Sequence, residues 1–195
     1  MRYRTPDPGN PRVQRTRDRI LAAAGDLLAE AGPAGLTYSL LAERAGVTRQ
    51  TLYRHWPSRS RLLVDLILEG SGGGLEGGYP QPGADPGAVA AAWLGSLRAG
   101  ISDPARRAAG LAVTAQADTD PDSAEALAQL TADRIAALNE VLRPSGIQVE
   151  SEEYALLSGP VLARIFFERG EVTDSFIEAV VARWLAGRPT PADRS

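Results

Sequence analysis

Apolar residues recur at intervals of three and four along most of the chain, the spacing that lines one face of a helix. Between residues 12 and 31, Ile20, Ala24, Leu27, Leu28 and Ala31 form one stripe, and Gly32-Pro33 closes it. Thr37 is placed to cap a helix over 38–45, with Leu40, Leu41 and Ala45 inward. A short helix follows, Arg49 to His55. Thr48 opens it and Trp56-Pro57 stops it, because the residue before a proline is pushed out of the α region. Between these two helices Gly46 can sit at positive φ without a Cβ clash, which a tight turn needs. Ser58 caps a helix over 58–69 that turns Leu62, Leu63, Leu66 and Ile67 inward, and Gly70 ends it.

The pattern then lapses. Residues 70–88 hold eight Gly and three Pro with almost no apolar side chains, which reads as a connector. Gly72-Gly73-Gly74 has no strand before it and no Lys-Ser/Thr after it, so a phosphate cradle is the weaker reading. Three Asp-Pro pairs, at Asp85-Pro86, Asp103-Pro104 and Asp120-Pro121, set a cap beside a first-turn proline and open helices over about 86–100, 104–117 and 121–142. Asp118, Asp120 and Asp122 have the spacing of a calcium loop, but Ser123 stands where that loop needs Gly and Gln129 where it needs Glu. Capping explains these acids better. Two more helices span about 151–168 and 174–187, the first with acids at its start and a kink expected at Gly159-Pro160, the second capped by Thr173. Leu157, Val161, Ile165 and Phe166 stripe the first; Phe176, Ile177, Val180, Val181, Trp184 and Leu185 stripe the second. These stripes either complete the core of the body or pair with a symmetry mate.

Charge divides the 195 residues unevenly. The net is −3, yet residues 1–61 carry eleven Arg against five acids, a net of +6, and the remainder ten Arg against nineteen acids, a net of −9. A basic head on an acidic body is the footprint of a polyanion bound at one end. Every basic residue is Arg, so Lys Schiff-base chemistry and Lys-dependent phosphate loops are excluded. With no Cys there are no disulfides, thiolate nucleophiles or Cys-ligated metals. The N-terminus lacks the apolar region of a secretory signal and no run approaches 18 apolar residues, so the expected location is the cytoplasm, off the membrane.

On a helical wheel the segment 49–55 turns Leu52 inward with Trp56, and Gln50 and Arg54 away from the core. Arg49 and Tyr53 fall on one flank, Thr51 and His55 on the other. The outward face carries two guanidiniums, an amide, a phenol, a hydroxyl and an imidazole, and no acid. Arg reads guanine edges, Gln reads adenine, and hydroxyls, phenols and imidazoles hold phosphates, so the face suits a major groove; a solvated basic face is the plainer alternative. Arg12, Arg15 and Arg19 lie off the first stripe, free for phosphates. Arg2 and Arg4, in an arm over 1–11, could reach a minor groove or add only attraction.

The run Thr37…Leu41-Ala42…Ala45-Gly46-Val47-Thr48…Thr51-Leu52-Tyr53-Arg54-His55-Trp56-Pro57-Ser58-Arg59…Leu62-Leu63 resembles the N-terminal domain of tetracycline-repressor (TetR) family regulators over about residues 14–74. The resemblance implies a helix-turn-helix at 37–56 in which Thr48 caps the groove-entering helix and Arg49 and Gln50 contact bases. It further implies phosphate or mixed contacts from Thr51, Tyr53 and His55, and a phosphate clamp from Arg59. Ser39 stands where some members place a base-reading Arg, which shifts the reading onto Arg49, Gln50 and Arg54. Leu157-Ser158-Gly159-Pro160…Arg164…Gly170-Glu171-Val172-Thr173-Asp174-Ser175-Phe176 is similar to the part of that family whose last two helices build a four-helix dimer interface. On that basis Leu157, Val161, Ile165, Phe176, Ile177, Val180, Val181 and Trp184 are the expected dimer contacts.

Enzyme chemistry has little to stand on. The one His is His55, on the groove-facing helix, and no nucleophile-elbow, zincin or P-loop pattern occurs. The Ala-rich helices of the body can leave a small-molecule cavity or close up on one another. Trp93, Leu97, Gln116, Leu130 and Arg134 are the lining candidates. The sequence therefore leads to an all-α chain of about nine helices with no cofactor. An arm (1–11), a three-helix helix-turn-helix DNA-binding domain (12–74), a connector (75–88) and a helical effector-binding and dimerisation domain (89–195) follow in order. The expected function is that of a homodimeric transcriptional regulator, a repressor of a palindromic operator released by a small ligand. A helical sensor dimer that has lost specific DNA reading is the alternative.

Overall fold

The computed structural model describes residues 11–68 and 79–188. The expected arm, with Arg2 and Arg4, lies outside those residues except for Pro11, as does the Gly72–Gly74 run. Among the described residues there are nine α-helices, one short 3-10 turn at Arg143–Ser145, and no strand. The helices are α1 (Pro11–Gly35), α2 (Tyr38–Ala45), α3 (Arg49–His55), α4 (Arg59–Leu68), α5 (Pro86–Ser102), α6 (Pro104–Ala117), α7 (Pro121–Leu142), α8 (Ser151–Phe166) and α9 (Asp174–Ala186).

Their ends are where side-chain chemistry sets them. Thr37, Thr48, Asp103 and Thr173 each accept the backbone N–H three residues on, at 2.8–3.3 Å, so that a donor with no intrahelical partner is satisfied. Asp85 accepts from Gly87 and Ala88, and Asp120 from Ser123. Gly32 adopts φ 65 inside α1, so the regular helix stops there and Pro33 starts a separate turn.

Two compact units result. The first comprises residues 11–68 with 101–129, the second 79–100 with 130–188; α7 gives residues 121–129 to the first and 130–142 to the second. The division departs from the composition break at 70–88. Residues 101–129 join the head because α6 packs against α1 and α4 through Ala109, Ala112 and Val113, all buried. The approach is close at Gly25 of α1, where an added Cβ would stand 3.4 Å from the Ala105 Cβ. Ile20, Leu21, Leu28, Leu41, Leu52, Trp56, Leu62 and Leu63 fill the rest of this core. Leu40 does not. It is 46% exposed, because one step along a helix from buried Leu41 turns a side chain about 100°.

In the second unit α8 packs on α9, and Trp93, Leu94, Leu138, Leu157 and Val161 are fully buried. The residues expected to pair with a second copy lie on these two helices. Leu157, Val161, Ile177, Val180, Val181 and Trp184 are buried within the single chain, so the stripes complete the unit's own core; Ile165 and Phe176 are half-buried. Exposed along α8 are Ser151, Glu152, Ala155, Leu156 and Pro160, beside a Gly159 with open space where a Cβ would sit. Exposed along α9 are Asp174, Ser175, Glu178, Ala179, Ala182, Arg183 and Ala186. Leu156 is 70% exposed.

Candidate nucleic-acid interface

The turn between α2 and α3 is built on Gly46, at φ 62 and ψ 42, whose N–H caps α2 on the Ala42 and Glu43 carbonyls. An L side chain there would cost about 1–2 kcal/mol in backbone strain. Val47 N–H also returns to Ala42, and the Thr48 hydroxyl meets that of Thr51 at 3.0 Å. Thus α3 starts at a fixed angle and ends at Trp56, whose backbone is extended (φ −132, ψ 99) ahead of Pro57. Leu52 and Trp56, at 0% and 1% exposure, bolt the inner side to the core.

The outer side is as the wheel requires. Arg49, Gln50, Tyr53 and Arg54 are exposed on α3, Thr51 and His55 are half-buried, Thr48 is exposed at the cap and Ser39 is exposed on α2. Arg49, Gln50 and Arg54 are engaged by no other described side chain, and α3 carries no acid. Three fork-shaped or amide donors are therefore free to meet base edges or phosphates. Tyr53 is held differently: its ring lies 4.8 Å from that of Tyr38, tilted by 57°, and Tyr38 donates its hydroxyl to the Trp56 carbonyl at 2.8 Å. Burial, then the neighbouring Tyr53, pushes the Tyr38 phenol well above its ordinary range, so it stays a donor. Burial also pulls the His55 imidazole below its ordinary value, and Arg54 and Arg17 act in the same direction. Arg59 donates to the Pro33 carbonyl and is half-buried. Burial lowers its guanidinium from the usual value. In this structure it ties α4 to the last turn of α1, and phosphate contact would use what remains of its fork.

A constellation absent from the sequence reading supports the far end of α3. Asp65, buried in α4, accepts from the Trp56 indole at 2.7 Å and from Arg17 of α1 at 2.8 Å, both on Oδ2. The Arg17 guanidinium also lies 5.9 Å from the Trp56 ring. The signal was an acid inside the apolar run Leu62-Leu63-Val64-Asp65-Leu66. Beside it, Ser60 of α4 reaches Ser123 of α7 at 2.6 Å and Asp120 at 3.2 Å, with both serines buried. The hydroxyl of Ser123, then Ser60, holds the Asp120 carboxyl below its ordinary value.

The small-molecule candidates do not all belong to one unit. Trp93, Leu97, Leu130 and Arg134 are buried in the second unit, whereas Gln116 is half-buried on α6 in the first.

Similarity to known proteins points the same way. The family model for bacterial regulatory proteins of the tetR family matches residues 20–66, which span α2, α3 and most of α4. The HTH-type transcriptional regulator YdeS of Bacillus subtilis is 40% identical over 60 residues, 31% of this chain and 30% of that one. AqdR, an HTH-type transcriptional regulator of Rhodococcus erythropolis, is 39% identical over 57 residues, 29% of this chain and 28% of that one. The match to these curated relatives thus spans under a third of their length. Among solved structures, the TetR family transcription regulator SCO0332 is 30% identical with a TM-score of 0.67, covering 90% of this chain and 100% of that one. The multidrug binding protein EbrR, solved with imidazole, shares the fold at 17% identity and a TM-score of 0.57, over 92% of this chain and 98% of its own.

Proposed function

The chain belongs to the TetR family of transcriptional regulators, and on that premise we propose that it acts as a homodimeric repressor of a palindromic operator, released by a small ligand held in its second unit. One observation carries the DNA part: Arg49, Gln50 and Arg54 stand exposed and unengaged on an acid-free helix whose other side is locked into the core. Arg49 and Gln50, at the start of α3, are the base readers; Arg54 adds a third donor. Thr48, Thr51, Tyr53 and His55 hold phosphates or mixed contacts around them, Ser39 approaches from α2, and Arg59 adds charge at the start of α4.

A palindrome needs two copies. The two α3 helices must meet half-sites about 34–36 Å apart, one turn of DNA, or a multiple of that. The outward faces of α8 and α9, small and apolar at Ala155, Leu156, Ala179, Ala182 and Ala186, are the surfaces we assign to pairing, since small side chains let helices approach closely. The family is one of regulators rather than enzymes. No helix among the described residues is long and apolar enough to cross a membrane, which fits work on DNA in the cytoplasm. A ligand can weaken DNA binding only by as much as it prefers the conformer that does not bind DNA.

The test is Arg49→Ala, assayed on a selected operator and on random DNA. The expected loss is about 1–3 kcal/mol at the operator, with relaxed preference at the base pair that Arg49 reads. Equal weakening on both DNAs would leave Arg49 a phosphate contact and favour a sensor dimer without specific reading.

A further inference from the structure

In the second unit, α7 buries a guanidinium two of whose donors meet no acceptor. Arg134 lies on the inward stripe of that helix, one turn from Leu130 and one from Leu138, and is 8% exposed. Its Nε and Nη1 are buried and donate to no acceptor. Trp93 of α5 is fully buried, and its indole N–H has no acceptor either. Tyr79 stacks flat on Trp93, with ring centroids 5.0 Å apart and planes 4° from parallel. Burial raises the Tyr79 phenol above its ordinary value, and the Arg134 charge opposes that rise, which puts guanidinium and phenol in one neighbourhood. Tyr154, itself buried, and the exposed Asp133 carboxylate act on the same phenol.

Buried polar groups are hydrogen-bonded as a rule, and buried charges are paired. Within this unit a guanidinium with two idle donors and an indole with another are short of acceptors among the described residues. We propose that Trp93, Tyr79 and Arg134 form the effector site, and that its ligand is a small organic anion with a flat aromatic body and a carboxylate on Arg134. The parts dictate the class. A buried guanidinium takes a carboxylate through charge-assisted N–H bonds, which a neutral group cannot reproduce and a cation opposes. Stacked Tyr79 and Trp93 suit a flat ring, and Leu97 and Leu130 keep the surroundings apolar. This deepens the reading of a ligand-released regulator and rests on it for the consequence of binding, though not for the binding chemistry.

The experiment is calorimetric titration of the full chain with benzoate and naphthalene-2-carboxylate, each beside its primary amide of nearly equal shape. At least one acid is expected to bind about tenfold or more tightly than its amide, the scale of a charge-assisted pair in a dry site. Arg134→Met should bring that acid down to the affinity of its amide and leave the amide unchanged. Arg134→Lys keeps the charge but loses the fork, and should fall several-fold short of wild type; it serves alone if the Met variant does not fold. If neither acid is preferred over its amide, or Arg134→Met and Arg134→Lys bind the acids as wild type does, the proposal is overturned. Operator binding measured in parallel keeps the two readings apart. An acid that binds through Arg134 without releasing operator upholds the site and sinks ligand release; intact operator recognition with no preference for acids sinks the site alone.

Discussion

Asp65 places a carboxylate in the apolar face of α4, and its two hydrogen bonds join three helices at one oxygen. Such a group is tolerated only because Arg17 and the Trp56 indole answer it. Removing it with Asp65→Ala strands the Arg17 guanidinium in a site where its side chain is 15% exposed. The expected cost is about 3–5 kcal/mol of unfolding free energy, read from urea denaturation. Asp65→Asn keeps an acceptor for the indole and should cost clearly less; equal costs would mean that Trp56 gains nothing from the contact. His55 offers a second residue-scale test, because it is the one His in the chain. Its folded-state pKa lies below its ordinary value, chiefly through burial. The neutral ring is therefore favoured in the fold, and the stability it contributes is present above the unfolded value and lost as pH falls through the folded one. An NMR titration of the imidazole should show a midpoint under about 6.5 in the free protein, shifting upward when phosphates surround it on DNA. A midpoint at or above that value without DNA would contradict the burial account.

Among the helices, Thr48 does the most for its size. It satisfies the Thr51 N–H and braces the Thr51 hydroxyl, so it sets where the recognition helix begins. Thr48→Ala should cost about 1 kcal/mol in stability, measured by thermal or urea unfolding, and Thr48→Ser or Thr48→Asp should restore most of it. Full stability in the alanine variant would show that tertiary packing alone holds α3. Caps of this kind were legible in the sequence because they depend on neighbours three residues apart; Thr37, Asp103, Asp120 and Thr173 were found on the same grounds. So was the outward set on α3, since a wheel needs only a helix and one buried anchor, Leu52. What local pattern could not reveal was which partner covers a stripe. Leu157, Val161 and Trp184 look the same in sequence whether they are buried in their own chain or against a second copy. Likewise α6 follows the Gly-rich break in sequence yet packs with the head, because packing is a non-local choice. Leu40 was misplaced for a simpler reason: in an eight-residue helix, 100° separates core from solvent.

At the scale of the molecule, residues 1–61 carry a net of +6 against −9 for the remainder, and that positive charge attracts a polyanion. That attraction is sequence-blind and fades with salt, so it cannot by itself make a regulator. Specificity requires the α3 face to be presented twice, at a spacing DNA can match. Selecting bound duplexes from a random pool with the intact protein tests this most directly. The account predicts enriched sequences with two inverted half-sites whose centres are about 10–10.5 base pairs apart, or a multiple of it, bound about 10³-fold or more tightly than the starting pool. Enrichment of no sequence, or of a single half-site without an inverted mate, would contradict it.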